Sequence, residues 1–204
     1  MNELQNLLDN NERWSDSIKQ KDPEFFAKLA HQQTPEYLWI GCSDSRVPAN
    51  DIVGMLPGNM FVHRNVANLV LHTDLNCMTV IQYAVDVLKV KHILVTGHYG
   101  CGGVRASMED CQYGLIDSWI RAIRDLYYKN RELLDQLPNE EERVDRLCEL
   151  NVIKQVTNIS HTSIVQNAWH HGQKLSIHGY IYGLKDGLWR SLNTTISSFE
   201  NLPP

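Results

Sequence analysis

One short segment, Ile40 to Pro48 (IGCSDSRVP), places a thiol, a carboxylate and a guanidinium within five positions. These groups belong to Cys42, Asp44 and Arg46, and they follow an apolar run that is typical of a buried strand. Asp44 and Arg46 could simply pair with each other. A cysteine two residues upstream suggests instead a metal site, provided that another part of the chain supplies further ligands.

A second segment, Gly97 to Gly103 (GHYGCGG), places His98 and Cys101 three positions apart between glycines. Glycine permits the sharp backbone turns that allow two such residues to face one ion. Two cysteines and a histidine suit Zn²⁺ far better than Ca²⁺ or Mg²⁺. Alone, this segment could be a turn with a buried thiol, but together with Cys42 it predicts a zinc site.

Asp44 decides which kind of zinc site forms, and two arrangements are open. If its carboxylate binds the metal, the ion has four protein ligands and the site is closed, as in structural zinc sites. If the carboxylate pairs with Arg46 through charge-assisted hydrogen bonds, a position is left for water, as in catalytic sites. Because two thiolates already offset the charge of the ion, we expect the activity of such a site to rise with pH.

The surrounding segments predict an α/β fold. Short apolar runs predict five strands, and a KDG turn joins the last two as an antiparallel hairpin. The predicted strands cover 37–41, 60–63, 92–97, 175–182 and 188–192. Helical periodicity separates them, with one helix capped by Thr73 and a long helical stretch over 140–169. This alternation predicts a mainly parallel central sheet flanked by helices on both faces, with an antiparallel edge strand.

Composition narrows the class of protein. The 204 residues are 43% hydrophobic, which is enough for one domain with a substantial core. A net charge of −5 argues against nucleic acid as a partner, because no basic excess is available to neutralise phosphates. No apolar run approaches the about 18 residues of a membrane span, and the opening MNELQNLLDNNERW lacks the pattern of a signal peptide. We therefore expect a cytoplasmic protein with no membrane partner.

Five cysteines without an export signal argue against a disulfide framework and favour metal binding or burial. Cys77 and Cys148 lie within helical patterns, where a small buried apolar residue is the better interpretation. The histidines other than His98 are interpreted as surface or core residues. Only Cys42 and Cys101 have neighbours that are typical of a metal site.

Three motifs, CSDSR at 42–46, FVHRNVAN at 61–68 and HYGCGG at 98–103, occur in this order. In these motifs the chain resembles the β-class carbonic anhydrases, and the similarity extends from about the first helix to Leu192. The resemblance implies a zinc-dependent α/β enzyme that interconverts carbon dioxide and bicarbonate. It also implies assembly as a homodimer or a dimer of dimers.

The resemblance further implies roles for individual residues. One zinc ion per chain would be bound by Cys42, His98 and Cys101, and Asp44 and Arg46 would form a catalytic dyad. Zinc would make hydroxide available for attack on carbon dioxide, Asp44 would orient that hydroxide, and water would then displace bicarbonate. The residues implied for the substrate pocket are three wall residues and one donor: Phe61, Val66, Tyr83 and Gln33. Ordinary core packing is the alternative for the wall residues.

A more specific resemblance concerns regulation. The motifs LWIGCSDSR, HRNVAN and HGYIYG are similar to those of a bacterial subgroup in which bicarbonate binds beside the active site and holds the enzyme shut. The residues implied are Trp39, Arg64 and Tyr182, with Tyr180 as a competitor for the third place and strand packing as the alternative for Trp39. An anion there would favour the arrangement in which the catalytic carboxylate leaves its arginine, and such coupling is reciprocal.

Two other function classes remain open at this point. A non-catalytic, zinc-stabilised oligomer or binding protein would keep Asp44 on the metal, and it would then have no use for Arg46. A redox or sulfur-transfer enzyme would use Cys42 as a free thiolate. In organisation, we expect a single β-carbonic-anhydrase-like domain over 1–204 with an N-terminal helical arm.

Overall fold

The structure, a computed structural model, describes residues 3–31 and 33–203. The chain divides into two compact units, Met1–Thr34 and Pro35–Pro204. Among the described residues, no helix has the length and apolar character needed to cross a membrane.

The first unit contains helix α1 (Glu3–Lys21) and helix α2 (Phe25–His31). The two helices are in contact through Trp14 and Phe26, whose ring centroids lie 5.6 Å apart in an edge-on arrangement. Between the helices, the carboxylate of Asp22 accepts a hydrogen bond from the backbone N–H of Glu24 at 3.0 Å. This local bond turns the chain from one helix into the next.

The second unit is built on a five-stranded sheet. Its strands are β1 (Tyr37–Cys42), β2 (Met60–Asn65), β3 (His92–His98), β4 (Ser176–Tyr182) and β5 (Trp189–Ile196). The spatial order is β2-β1-β3-β4-β5, with β1 to β4 parallel and β5 antiparallel to β4. The predicted fold class, a mainly parallel sheet with an antiparallel edge strand, is confirmed.

Eight helices of the second unit follow the strands in the part of the chain that the structure describes. They are α3 (Ala49–Ile52), α4 (Leu75–Gln82), α5 (Gly102–Met108), α6 (Leu115–Trp119), α7 (Arg121–Lys129), α8 (Arg131–Asp135), α9 (Glu140–Ser160) and α10 (Ser163–His170). The larger core lies between one face of the sheet and helices α4, α5, α7, α9 and α10, and it contains Ile40, Val95 and Val152. The other face carries a smaller core around Trp39 and Leu94, to which short α3 contributes Ala49.

Several helix boundaries differ from the predicted ones. Asp74, not Thr73, caps α4, because its carboxylate accepts the backbone N–H of Asn76 at 3.1 Å. The stretch 140–169 is two helices, since the Thr162 hydroxyl accepts the N–H of Val165 at 3.3 Å and starts α10. A turn of π-helix over Tyr83–Val87 continues α4.

The strand register places both chemistry-bearing segments at one edge of the sheet. Gly41 in β1 pairs with Thr96 in β3, so the ends of the two strands are adjacent. β1 ends at Cys42 and β3 ends at His98. Parallel strands therefore deliver a thiol and an imidazole side by side, at the carboxyl ends where α/β sheets carry their functional sites.

Candidate metal centre

Three buried side chains converge at this edge of the sheet. The ligand atoms of Cys42, His98 and Cys101 all lie within 4.8 Å of one another, and each side chain is at most 5% exposed. The two sulfur atoms are 3.9 Å apart. Cys101 comes within reach because Gly100 takes a positive φ of 66° just before it, a conformation that costs glycine little.

The imidazole of His98 is oriented for a metal. Its Nδ1 lies 3.0 Å from the carbonyl oxygen of Tyr99. Because a carbonyl can only accept, Nδ1 carries the proton and donates a hydrogen bond to that oxygen. Nε2 therefore has a free lone pair. It is buried and has no hydrogen-bond partner among the described residues. A bare, buried imidazole nitrogen facing two thiols fits a zinc ion, and a histidine that donates its other nitrogen to a carbonyl is typical of zinc sites.

Hydrogen bonds also prepare the two thiols to carry negative charge. Cys42 accepts backbone hydrogen bonds from Asp44 and Ala67, and Cys101 accepts one from Val104. The bond from the Cys101 thiol lowers the pKa of Cys42 to about 4. The same bond, together with burial, raises the pKa of Cys101. A divalent cation between the sulfur atoms would stabilise both as thiolates.

Asp44 lies beside this cluster and is paired with Arg46. The guanidinium donates from Nε to Oδ1 at 2.9 Å and from Nη2 to Oδ2 at 2.6 Å. This pairing holds the pKa of Asp44 well below its usual range. Oδ2 is 3.7 Å from Nε2 of His98, so the carboxylate faces the candidate metal position. Of the two arrangements left open by the sequence, the structure has the one in which Asp44 is bound to the arginine.

Arg64 has a role that the sequence did not reveal. It was predicted as an anion ligand, but its guanidinium donates to two backbone carbonyls of the neighbouring loop, from Nε to Cys42 at 2.8 Å and from Nη2 to Asp44 at 2.5 Å. Arg64 pairs with Gly41 across the sheet, which places it next to that loop. The bonds fix the backbone that presents both the first thiol and the carboxylate.

The other residues predicted for anion binding share one face of the sheet. Trp39 is fully buried, and its Nε1 has no hydrogen-bond partner among the described residues. The indole lies over Gly41, where an added Cβ would come within 2.2 Å of Nε1. Tyr182 packs against the same small core. Its competitor, Tyr180, stacks on Trp189 with ring centroids 3.7 Å apart, which gives Tyr180 a packing role.

Each of the four predicted substrate residues is described by its own surroundings. The rings of Phe61 and Tyr83 are in contact, with centroids 5.8 Å apart. Val66 is 38% exposed and helps to line an apolar pocket of about 660 Å³ with Leu115, Ile116, Ser118 and Trp119. Gln33 is exposed and belongs to the first unit. The pocket residues on α6 were not identified from the sequence, where Leu115 and Ile116 follow an ordinary helical pattern.

A second cluster of ligand-type side chains contains a histidine that is already hydrogen-bonded. His63, Asp74 and Cys77 also have ligand atoms within 4.8 Å of one another. However, the amide of Asn65 is fixed by the backbone of Leu69 through two bonds of 2.7 Å. Its Nδ2 therefore donates to Nε2 of His63 at 3.3 Å, which occupies that lone pair and leaves the proton on Nδ1. We interpret His63 as a hydrogen-bonded core residue, as the sequence predicts.

A parallel α/β sheet that ends in a Cys-His-Cys cluster beside an aspartate–arginine pair defines an α/β protein with a candidate metal site. Residues 37–189 match the family model described as carbonic anhydrase. The chain therefore belongs to the carbonic anhydrase family, in its β class.

Individual relatives agree with this assignment. A carbonic anhydrase of Emericella nidulans is 49% identical over 92% of this chain and 82% of its own length. One of Candida albicans is 37% identical over 98% of this chain and 71% of its own length. The solved β-carbonic anhydrase of Coccomyxa, in complex with acetazolamide, has a TM-score of 0.94 at 43% identity, covering 98% of this chain and 91% of that chain. These matches identify the chain as an enzyme.

A further solved relative is a β-carbonic anhydrase of Sordaria macrospora, described as tetrameric. It has a TM-score of 0.92 at 39% identity and covers 97% of this chain and all of that chain. Sequence and structure thus agree on the family over nearly the whole chain.

Proposed function

We propose that the chain catalyses the zinc-dependent, reversible hydration of carbon dioxide to bicarbonate and a proton. The observation that carries this proposal is the bare, buried Nε2 of His98, which converges with the sulfur atoms of Cys42 and Cys101 beside the carboxylate of Asp44. This donor set matches the soft-to-borderline preference of zinc, and membership of the family supports the reaction.

In this proposal Cys42, His98 and Cys101 would hold zinc, which would supply hydroxide near neutral pH for attack on carbon dioxide. Asp44 accepts a hydrogen bond from the attacking group and so orients it. Arg46 keeps the Asp44 carboxylate ionised and aimed at the metal, because its two hydrogen bonds stabilise the charged form. Asp44 thus acts as a positioned acceptor that stays charged over the working pH range.

The substrate is small and apolar, so its pocket needs apolar walls and one hydrogen-bond donor. Phe61, Val66 and Tyr83 are proposed as walls. The exposure of Val66 and the contact between the rings of Phe61 and Tyr83 support this role. Gln33 is proposed as the donor on the basis of the resemblance alone.

We also propose that bicarbonate inhibits the enzyme by binding at Trp39, Arg64 and Tyr182. Two observations support this site. Nε1 of Trp39 is a buried donor without a partner among the described residues, and such a group is costly unless something accepts its hydrogen bond. Arg64 is bound to the carbonyls of Cys42 and Asp44. An anion that drew Arg64 away would loosen the loop that holds Asp44 next to its arginine.

Assembly as a homodimer or a dimer of dimers is part of the proposal, and the tetrameric Sordaria macrospora relative supports it. A cytoplasmic location, the absence of nucleic-acid and membrane partners, and a single domain with an N-terminal arm stay predictions from the sequence.

The test is a stopped-flow assay of carbon dioxide hydration at about pH 7 and about pH 9, on either side of the ionisation expected for water on zinc. The protein should contain one zinc per chain, lose activity when a chelator removes it, regain activity with added zinc, and work faster at the higher pH. Cys42→Ala should abolish both zinc binding and activity, while Cys111→Ala, at an exposed cysteine, should not.

Absence of zinc-dependent hydration at both pH values would contradict the proposal. If the protein nevertheless contained one zinc per chain, the non-catalytic, zinc-stabilised alternative would replace it. Zinc-independent chemistry at Cys42 would favour the redox or sulfur-transfer alternative.

A further inference from the structure

The loop that carries two of the candidate zinc ligands is held by one face of helix α9. The loop consists of four residues, His98 to Cys101. Three consecutive loop residues, Tyr99, Gly100 and Cys101, each donate one hydrogen bond to this helix. Their three acceptors have the spacing i, i+3 and i+4, which places them on a single face of α9. None of the three acceptors belongs to the ligand set or to the catalytic dyad.

Two of these bonds are made to carboxylates. The hydroxyl of Tyr99 donates to Oε1 of Glu149 at 2.7 Å. The backbone N–H of Gly100 donates to Oδ1 of Asp145 at 3.0 Å. The other oxygen of Glu149 accepts from Arg146 at 2.6 Å, which fixes the orientation of the carboxylate. The carboxylate of Glu149 is therefore held by two partners at once.

The third bond is made to a thiol in the interior. The backbone of Cys101 forms a hydrogen bond with the sulfur of Cys148, a residue that is 2% exposed. The buried cysteine, which the sequence assigned to plain core packing, is thus in contact with a candidate ligand residue.

The loop needs external restraint because of its composition. Gly97, Gly100, Gly102 and Gly103 surround the two ligands, and glycine has more conformational freedom to lose than any other residue. A loop that had to be ordered at the moment of metal binding would lower the affinity for the metal. Hydrogen bonds that order the loop beforehand remove that cost.

We propose that Asp145, Cys148 and Glu149 are positioning residues that keep the 98–101 loop in its ligating conformation and so control how long zinc is retained. The proposal rests on the proposed zinc site. These residues act through Tyr99, Gly100 and Cys101. Loss of partners that orient metal ligands typically lowers metal affinity by about 10- to 100-fold.

The experiment measures release of zinc from the zinc-loaded enzyme to a coloured chelator in a stopped-flow instrument. Tyr99→Phe removes one donor without removing the ring, and Asp145→Ala removes one acceptor. Both variants should release zinc about 10-fold faster or more. Asp145→Asn keeps an oxygen that can accept the N–H of Gly100, so its release rate should return most of the way to that of the unaltered enzyme. This rescue separates positioning from a general loss of stability.

Asp125→Ala is the matched control, because this exposed aspartate on α7 pairs only with Arg121 among the described residues. Its zinc release should equal that of the unaltered enzyme. Circular dichroism establishes whether Asp145→Ala is folded, and Tyr99→Phe provides the same test if it is not. A second readout is the sulfur-to-metal charge-transfer absorption of the cobalt-substituted enzyme, which should shift in Tyr99→Phe.

The outcomes separate this inference from the proposed function. If the unaltered enzyme binds one zinc per chain but Tyr99→Phe and Asp145→Ala release it at the same rate, the positioning role is wrong and the zinc site stands. If the unaltered enzyme binds no zinc, the proposed function itself fails. Equal release from Asp145→Ala and Asp145→Asn, both faster than normal, would also contradict the positioning role of the Gly100 bond.

Discussion

Asp44 and Arg46, two residues apart in the chain, form a two-point ion pair whose carboxylate also lies 3.7 Å from the imidazole of His98. The carboxylate is therefore held by the arginine at the edge of the candidate metal position. If zinc is bound as proposed, this geometry would leave its fourth position free, which hydration of carbon dioxide requires.

The first prediction concerns Asp44→Asn. The amide has the same shape but no negative charge, so it cannot act as the charged acceptor next to the metal. We expect a fall of about 10²-fold or more in kcat/KM, the range that is typical for loss of a positioned acid–base group. Zinc content and melting temperature should change little, because the three ligands remain.

The control is Asp51→Asn, at an exposed site on α3. Substantial activity in Asp44→Asn would remove Asp44 from the reaction.

The second prediction concerns inhibition by bicarbonate. Trp39→Phe removes Nε1, which has no partner in the described part of the chain, but keeps the ring, and Arg64→Ala removes the guanidinium. Each should weaken the inhibition about tenfold or more, because a hydrogen bond to a charged group contributes about 1.5–3 kcal/mol. Hydration rates measured over a series of bicarbonate concentrations give the inhibition constant, with Arg131→Ala on α8 as the control. An unchanged constant in both variants would show that bicarbonate does not act at this site.

The third prediction concerns the packing of β3 against α9. A Cβ at Gly97 would come within 2.6 Å of Cγ2 of Val152, which is fully buried. Gly97→Ala should therefore lower the free energy of unfolding by about 1–3 kcal/mol, the usual cost of overpacking. Adding Val152→Ala should recover part of that loss. Gly102→Ala, where a Cβ meets open space, serves as the control. Urea denaturation provides the measurement, and additive losses in the double variant would refute the predicted contact.

The fourth prediction concerns pH and stability. Nε2 of His178 lies 3.1 Å from Nδ1 of His92. Burial and the charge that His92 can carry both lower the pKa of His178. A lowered pKa means that the unfolded chain binds the proton more readily than the folded protein. The free energy of unfolding must therefore fall as the pH drops below about 6.5, the ordinary value for histidine. Burial lowers the pKa of His63 as well, so it contributes with the same sign.

Melting temperatures between about pH 7.5 and about pH 5.5 test this pH dependence, since that interval spans the titration of histidine in the unfolded chain. The decrease should be smaller in His178→Gln than in the unaltered protein. The variant should keep part of the decrease, because His63 remains. An equal decrease in both proteins would exclude His178 as a source of the pH dependence.

The sequence predicted the parts of the fold that depend on local pattern. Apolar runs identified all five strands, and the motifs after β1 and β3 identified the residues that meet at the sheet edge, because parallel strands must end on the same side. Boundaries that depend on a single side-chain bond were missed. The break before α10 depends on the hydroxyl of Thr162, and the longer β5, Trp189–Ile196, depends on pairing with β4.

The arrangement of the site was less predictable. Whether Asp44 binds the metal or Arg46 depends on side-chain torsions that no residue spacing specifies. Arg64 was assigned to an anion, but its bonds to the carbonyls of Cys42 and Asp44 become visible only when β1 and β2 are paired. The hydrogen bond from Gly100 to Asp145 joins residues that are 45 positions apart in the chain. Helical periodicity alone does not indicate such a bond.

The most direct test of the zinc site is anomalous diffraction from crystals of the zinc-loaded protein at the zinc absorption edge. We predict one peak per chain, about 2.3 Å from the sulfur atoms of Cys42 and Cys101 and about 2.0–2.1 Å from Nε2 of His98. Asp44 should remain paired with Arg46, and the fourth neighbour of the zinc should be a non-protein atom. A peak elsewhere, or an Nε2 of His98 turned away from both sulfur atoms, would contradict the proposed site.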